Sequence, residues 1–281
     1  MLKALQLNSS EARTSEDVFV AESQWMPTGR VFGGQVLGLS IVAASRTTPT
    51  DRLIHSLHGY FLRPGDVTFP ITISVDRIHD GRSFSTRRTQ AYQNGQPIFS
   101  CICSFQTHDP GLEHETPAPE GLPGPDELPS DAELLGSSDH PGAEGRTRDP
   151  GFEIRRVPGP VYFDVPGERI GHQAVWARAA GPMPDDEVLH RAAIAYASDF
   201  TILEPITRPH GVQWTTPGIK LASLDHAMWW HRPARADEWL LYVEESPSAQ
   251  GGRGLSTGRI YQDGRLVASV AQEGMIRVPQ H

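Results

Sequence analysis

The chain has 281 residues, 38% of them hydrophobic and 21% charged, and a formal net charge of -9. That length allows about two domains with ample core, and the negative balance argues against a general binder of nucleic acid or acidic membranes. No run approaches the roughly 20 apolar residues of a membrane span, and the first residues are too polar for a secretory signal.

Pro279-Gln280-His281 is no peroxisomal or reticular address either. Cys101 and Cys103 are the only two cysteines. Strand alternation puts them on one face, which reads as core filling and not as a bridge or a metal clip. A reduced, cytoplasmic setting follows as the default. The 12 histidines show neither H-E-x-x-H nor paired metal spacing, so no metal and no cofactor is expected.

In chain order, a short strand is expected at Val18–Ala21 and a helix over Gln35–Ser45, with Gly33-Gly34 just ahead of it. Paired glycines before a helix suggest backbone amides that a ligand approaches closely. Strand patterns follow at His55–Leu62, Ile71–Val75, Ser83–Tyr92 and Pro97–Phe105, the last two joined by the hairpin signal Gln93-Asn94-Gly95-Gln96. Residues 107–150 lose all period and are dominated by Pro, Gly, Glu, Asp and Ser; they read as a linker, loose in part.

A second helix is expected over Asp185–Leu203. Asp185 and Asp186 suit its start, where free amides and the dipole favour negative charge. Leu189, Ala192, Ala195, Tyr196, Asp199 and Leu203 recur at three- and four-residue spacing and share one face. Five of these six are apolar, so Asp199 is a carboxylate directed at a core. Burying it is costly without a partner or hydrogen bonds. It is either a structurally satisfied charge or a working group.

The second half repeats the first. Gly81-Arg82-Ser83-Phe84-Ser85-Thr86-Arg87-Arg88 answers to Gly252-Arg253-Gly254-Leu255-Ser256-Thr257-Gly258-Arg259, and Tyr92-Gln93-Asn94-Gly95 to Tyr261-Gln262-Asp263-Gly264. Upstream, Tyr60-Phe61-Leu62-Arg63-Pro64 matches Trp229-Trp230-His231-Arg232-Pro233, and the copies lie about 170 residues apart in the same order. Two homologous units follow, each one helix with about four antiparallel strands. The fold class is α+β, a double hotdog, with units at 1–106 and 151–281 around the linker.

These strings resemble the bacterial acyl-CoA thioesterase II family. The resemblance rests on Arg30-Val31-Phe32-Gly33-Gly34-Gln35-Val36, on His55-Ser56-Leu57-His58-Gly59-Tyr60-Phe61-Leu62-Arg63-Pro64-Gly65-Asp66 and on Asp80-Gly81-Arg82-Ser83-Phe84. It continues through Ala197-Ser198-Asp199-Phe200 and Asp225-His226-Ala227-Met228-Trp229-Trp230-His231-Arg232-Pro233 to Gln272-Glu273-Gly274. It implies direct hydrolysis of an acyl-CoA thioester by a water that Asp199 activates as general base and that Ser223 and Gln272 orient. Many members carry Thr where this chain has Ser223, which keeps the hydroxyl. Leu39 stands where the family usually has Gln. Assembly into homo-oligomers, dimers or tetramers, is also what the resemblance implies.

Periodicity gives the three residues a shared peculiarity. Ser223 is in phase with Ile219 and Leu221, and Gln272 with Leu266, Ala268 and Val270. Each is a polar group pointing with an apolar face, though taken singly each has a bland reading as a satisfied core side chain. Gly33 and Gly34 are candidates for stabilising an oxyanion. Arg82 and Arg253 are candidates for CoA phosphates or, alternatively, for structural ion pairs. Gly254-Leu255-Ser256-Thr257-Gly258 fits a hydrolase nucleophile pattern, but no helix follows Ser256, as that motif requires. His226 and His231 read as packing and hydrogen-bonding residues. Rival functions are a hydratase or dehydratase, which would pair the Asp with a His, and a non-catalytic acyl-CoA binding protein.

Overall fold

A computed structural model describes residues 1–9, 17–136, 151–162 and 164–279. The first half contains β1 (Asn8–Ser9), β2 (Asp17–Ala21), α1 (Gly33–Arg46), β3 (Arg52–Phe61), β4 (Ile71–Asp80), β5 (Phe84–Gln93) and β6 (Gln96–Thr107). After the short α2 (Asp131–Leu135) come β7 (Phe152–Val157), β8 (His172–Ala179), α3 (Glu187–Ser198) and α4 (Glu204–Thr207). The chain ends through β9 (Lys220–Ser223), β10 (Asp225–Trp230), β11 (Leu240–Gln250), β12 (Arg253–Gln262) and β13 (Arg265–Arg277).

All strand pairings are antiparallel, and one sheet runs β1-β2-β4-β5-β6-β3-β10-β13-β12-β11-β8-β7, with β9 on the free stretch of β13. The order β2-β4-β5-β6-β3 is mirrored by β8-β11-β12-β13-β10, and the halves meet where β3 pairs β10, His58 opposite Ala227. The sequence repeat is therefore a structural one. Both hairpin turns have the left-handed backbone their residues favour, Asn94 (φ 48°)-Gly95 (φ 73°) and Asp263 (φ 50°)-Gly264 (φ 76°). This is the hotdog arrangement, a helix pair wrapped by sheet.

α1 is buried from Gly34 to Ala44 on every side, because the sheet covers one face and α3 the other. It begins at Gly33, two residues earlier than its apolar pattern suggests, so the glycine pair lies inside the first turn and not ahead of it. Close helix crossing explains the glycines. A Cβ on Gly34 would meet the Tyr196 carbonyl at 2.3 Å, and one on Gly38 the Ala192 carbonyl at 3.1 Å. Leu39 is wholly buried in the core, so no polar role falls to that position.

The second helix is shorter than expected. It starts under an Asp186 cap, whose carboxylate accepts from the Val188 and Leu189 amides at 2.8 and 3.3 Å, and it ends at Ser198. The apolar period carried on past its end because Ile202, Leu203 and Ile206 enter the same core from a turn and from α4. Asp199 is thus the residue that closes the helix (φ -86°, ψ -5°), not one deep within it.

The described part of the linker, residues 107–136, is largely exposed but is pinned to the protein at several points. It straps the outer face of the second-half sheet, where Ala118 and Leu122 cover Ala174, Leu241 and Tyr261. Glu115 pairs with Arg232 at 2.9 Å and Arg265 at 2.6 Å, and Trp176 Nε1 donates to the Pro123 carbonyl at 3.0 Å. Ser130 and Glu133 cap α2 reciprocally, at 3.2 and 2.7 Å. Such contacts have no periodicity to read. The rest of the linker, 137–150, lies outside the described residues.

Candidate active site

The end of α3, β9 and β13 deliver Asp199, Ser223 and Gln272 to one point. Ser223 Oγ donates to Asp199 Oδ1 at 3.2 Å. Gln272 Nε2 donates to the same oxygen at 2.9 Å and to Ser223 Oγ at 2.8 Å. β9 and β13 are neighbours, with Ser223 opposite Gly274, which is why a short strand can bring its hydroxyl to the Gln272 amide. The backbone amide of Gly34, at the start of α1, faces Asp199 and favours its ionised form. The first unit therefore supplies part of the cluster. Three polar side chains that sequence placed on separate elements form one hydrogen-bonded group.

Burial pushes the Asp199 carboxyl up from 3.8 to about 6, against the opposing pull of Gln272, Ser223 and the Gly34 amide. Desolvation outweighs the three donors because none of them carries a full charge. A carboxylate that changes state near neutral pH is suited to accept a proton. Gly33 leaves space beside it, since a Cβ there would lie 2.6 Å from Asp199 Oδ2 and 2.9 Å from the Phe61 ring. The surrounding wall is aromatic, with Phe32 stacked on Phe200 at 4.7 Å and Phe61 against Phe99 at 4.9 Å.

Asp199 and Ser223 open onto a cavity of about 1530 Å³ that Gly33, Phe61, Phe200, Leu203 and Met275 also line. Both halves contribute to it. Gly33 borders the cavity, and the Gly34 amide faces Asp199 from the first turn of α1. The structure does not bring Arg82 or Arg253 to this cavity. Arg253 is exposed and pairs with Glu273 at 3.0 Å, while Arg82 is exposed on the loop before β5. The cations on the wall are Lys3, Arg30 and Arg63; the two arginines fall in the strings that carry the family resemblance, but that resemblance gives them no role.

Ser256 lies in β12 directly opposite Gln272, buried within a strand, so the nucleophile-elbow context is absent. His231 Nε2 meets Ser269 Oγ at 2.9 Å. His226 is fully buried behind the cluster, its Nδ1 against Gln272 Oε1 and its Nε2 3.1 Å from Ser198 Oγ. Its contact with Gln272 went unread in the sequence, although alternation with Met228 and Trp230 already directs it inward.

Comparison with known proteins agrees with this fold. A family model described as the acyl-CoA thioesterase N-terminal domain matches residues 21–106, and one described as acyl-CoA thioesterase matches 150–275. Acyl-coenzyme A thioesterase 8 of Homo sapiens is 39% identical over 94% of this chain and 85% of its own length. Acyl-CoA thioesterase 2 of Haemophilus influenzae is 35% identical over 92% of each chain. The crystal structure of the acyl-CoA thioesterase II TesB2 from Mycobacterium marinum superposes with a TM-score of 0.75 at 39% identity, over 99% of this chain and 97% of that one. A hotdog-fold protein from Alicyclobacillus acidocaldarius, 18% identical with a TM-score of 0.77 over 99% of this chain and 98% of that one, shares the fold. With whole-length identity of this order, both halves matched by the same family and an antiparallel sheet wrapped on a helix pair, the chain belongs to the acyl-CoA thioesterase family, in its bacterial thioesterase II branch.

Proposed function

We propose that thioester hydrolysis by this chain runs through one water that Asp199 deprotonates as it attacks the acyl carbonyl. The supporting observation is that Asp199 and Ser223 line a large cavity and are bonded there to Gln272, buried just behind them. Asp199 Oδ1 is held by Ser223 and Gln272, which leaves Oδ2, in the space Gly33 keeps clear, to take the proton. Ser223 and Gln272 fix the carboxylate through its Oδ1, and the carboxylate so held, with the Ser223 hydroxyl beside it, orients the water. Water attack forms the C–O bond, the proton passes to Asp199, and the C–S bond breaks to release CoA as thiolate. That leaving group is a weak base and needs no strong acid. The apolar walls from Phe61, Leu203 and Met275 suit a fatty acyl chain.

The rival hydratase chemistry needs a histidine beside the acid on the cavity side. His226 instead stands behind Gln272 and does not line the cavity. The test is free-thiol release from a panel of acyl-CoAs, with enoyl-CoA hydration followed in parallel. Asp199→Asn is expected to lower kcat by about 10²- to 10⁴-fold with the fold intact by circular dichroism. Turnover near that of the parent would end the proposal.

Three coarser features complete the reading. The units divide at 1–106 and 151–281, supported by the two family matches and by the mirrored strand order. The chain assembles as a homo-oligomer, a dimer or tetramer, supported by exposed Tyr60, Ile102 and Trp229 on the outer face of the β3–β10 seam. It works in the reduced cytoplasm, consistent with two free cysteine sulfurs 3.8 Å apart in the core.

A further inference from the structure

We propose that His226 is a positioning residue for this site, holding the Gln272 carboxamide in the one orientation that serves Asp199. The inference rests on the reading of Asp199 as base. Its first step is donor counting. An ionised Asp199 offers only acceptors, so the side of Gln272 that faces it must be the amide nitrogen. Both hydrogens of that nitrogen are then used, one on Asp199 Oδ1 at 2.9 Å and one on Ser223 Oγ at 2.8 Å. Gln272 Oε1 is left facing His226 Nδ1. Two acceptor lone pairs do not bond, so Nδ1 carries the ring's hydrogen.

The second step concerns the other nitrogen. Burial lowers the ring's pKa from 6.5 to about 4, so near neutral pH the imidazole is uncharged and has a single N–H. With that hydrogen on Nδ1, Nε2 keeps a lone pair, so the one hydrogen of the Ser198 hydroxyl, 3.1 Å away, turns to it from the Ala195 carbonyl to which that hydroxyl otherwise donates. Ser198 Oγ also lies 2.9 Å from the Ala195 carbonyl, the usual local partner of a helical serine. Because Ser198 immediately precedes Asp199, the chain of contacts closes on itself, from Asp199 to Gln272 to His226 to Ser198 and back through the backbone. A carboxamide turns over at little intrinsic cost. Flipped, it would set its oxygen against the Asp199 carboxylate, and the Nδ1–H donor of His226 is what penalises that state.

The test reads the hydrogen directly. In protein labelled with ¹⁵N-histidine, the His226 ring, assigned through its contacts with Gln272 and Ser198 protons, is expected to carry its proton on Nδ1 and a bare Nε2 between pH 6 and 8. A proton on Nε2 overturns the proposal, and this measurement needs no variant to fold. Kinetics supply the second readout. His226→Phe is expected to lower kcat by about 10- to 100-fold with KM nearly unchanged, as loss of an orienting partner does. His226→Asn places an amide N–H where Nδ1–H stood and is expected to recover most of that loss, which a purely space-filling role would not produce. An unchanged kcat in His226→Phe, or a folded His226→Asn no better than it, also overturns the proposal. The two readings separate cleanly. An active Asp199→Asn with Nδ1 protonated removes the hydrolytic mechanism, whereas an inactive Asp199→Asn with Nε2 protonated removes only the role of His226.

Discussion

Asp199 combines two demands that pull in opposite directions. A base must be able to hold a proton near working pH, and burial achieves this by raising its pKa to about 6. The same burial destabilises the folded chain once the carboxyl ionises. The sign follows from linkage. A folded-state value above the unfolded one of about 3.9 gives stability that is fully present below that pH and is lost as pH rises through about 6. Asp199→Asn escapes that loss. It is expected to gain on the parent by up to about 2 kcal/mol at pH 8 and by less at pH 5, as chemical denaturation at the two pH values would measure. The kcat/KM profile of the parent is expected to rise with pH through about 6 and then level. A profile flat from pH 5 to 8 would remove Asp199 as the base. The inward direction of Asp199 was legible from a charge in an apolar period. Its role as the closing residue of α3 was not, because Leu203 and Ile206 continue the period from outside the helix.

At the scale of elements, the site depends on how closely α1 can approach α3. The first turn of α1 brings the Gly34 amide to face Asp199, and this close approach needs a glycine, since a Cβ there would lie 2.3 Å from the Tyr196 carbonyl. Gly34→Ala must therefore shift backbone, and it is expected to cost about 1–3 kcal/mol as an overpacked site. It should also lower kcat, by moving the donor off the carboxylate. Denaturant midpoints and thiol release on the same preparation would check both, and an unchanged value of each would show that the crossing is slack. The strands were the most legible elements, since alternation and the Asn94-Gly95 and Asp263-Gly264 turns mark their ends. Residues 107–136 were the least legible. Their order comes from single contacts such as Glu115 with Arg265 and Trp176 with Pro123, which leave no repeating mark in the chain.

At the scale of the whole molecule, the two units share one sheet and one site. β3 and β10 fuse the halves edge to edge, which removes the exposed edge each unit would present alone. Asp199, Ser223 and Gln272 come from the second half, while Gly33, Phe61 and the Gly34 amide come from the first. Residues 151–281 expressed alone are expected to lack thiol release altogether, and co-expression with residues 1–150 should restore it. Activity in the second unit alone would show that the first is dispensable to the chemistry.

Residue patterns along the chain were enough for the duplicated α+β architecture, the family, and the three inward polar residues. Each of these is carried by local periodicity or by a string long enough to be specific. What those residues touch became visible only in three dimensions. The Gly34 amide, the ring of His226 and the cations Lys3, Arg30 and Arg63 reach the site from distant positions along the chain, as do Asp199, Ser223 and Gln272 to one another. The tertiary structure likewise placed Arg82 and Arg253 away from the cavity wall, on an exposed loop and at an exposed strand start. The physical reason is that hydrogen bonds and desolvation act over a few ångströms in space, while periodicity reports only which way a side chain faces and not what it meets.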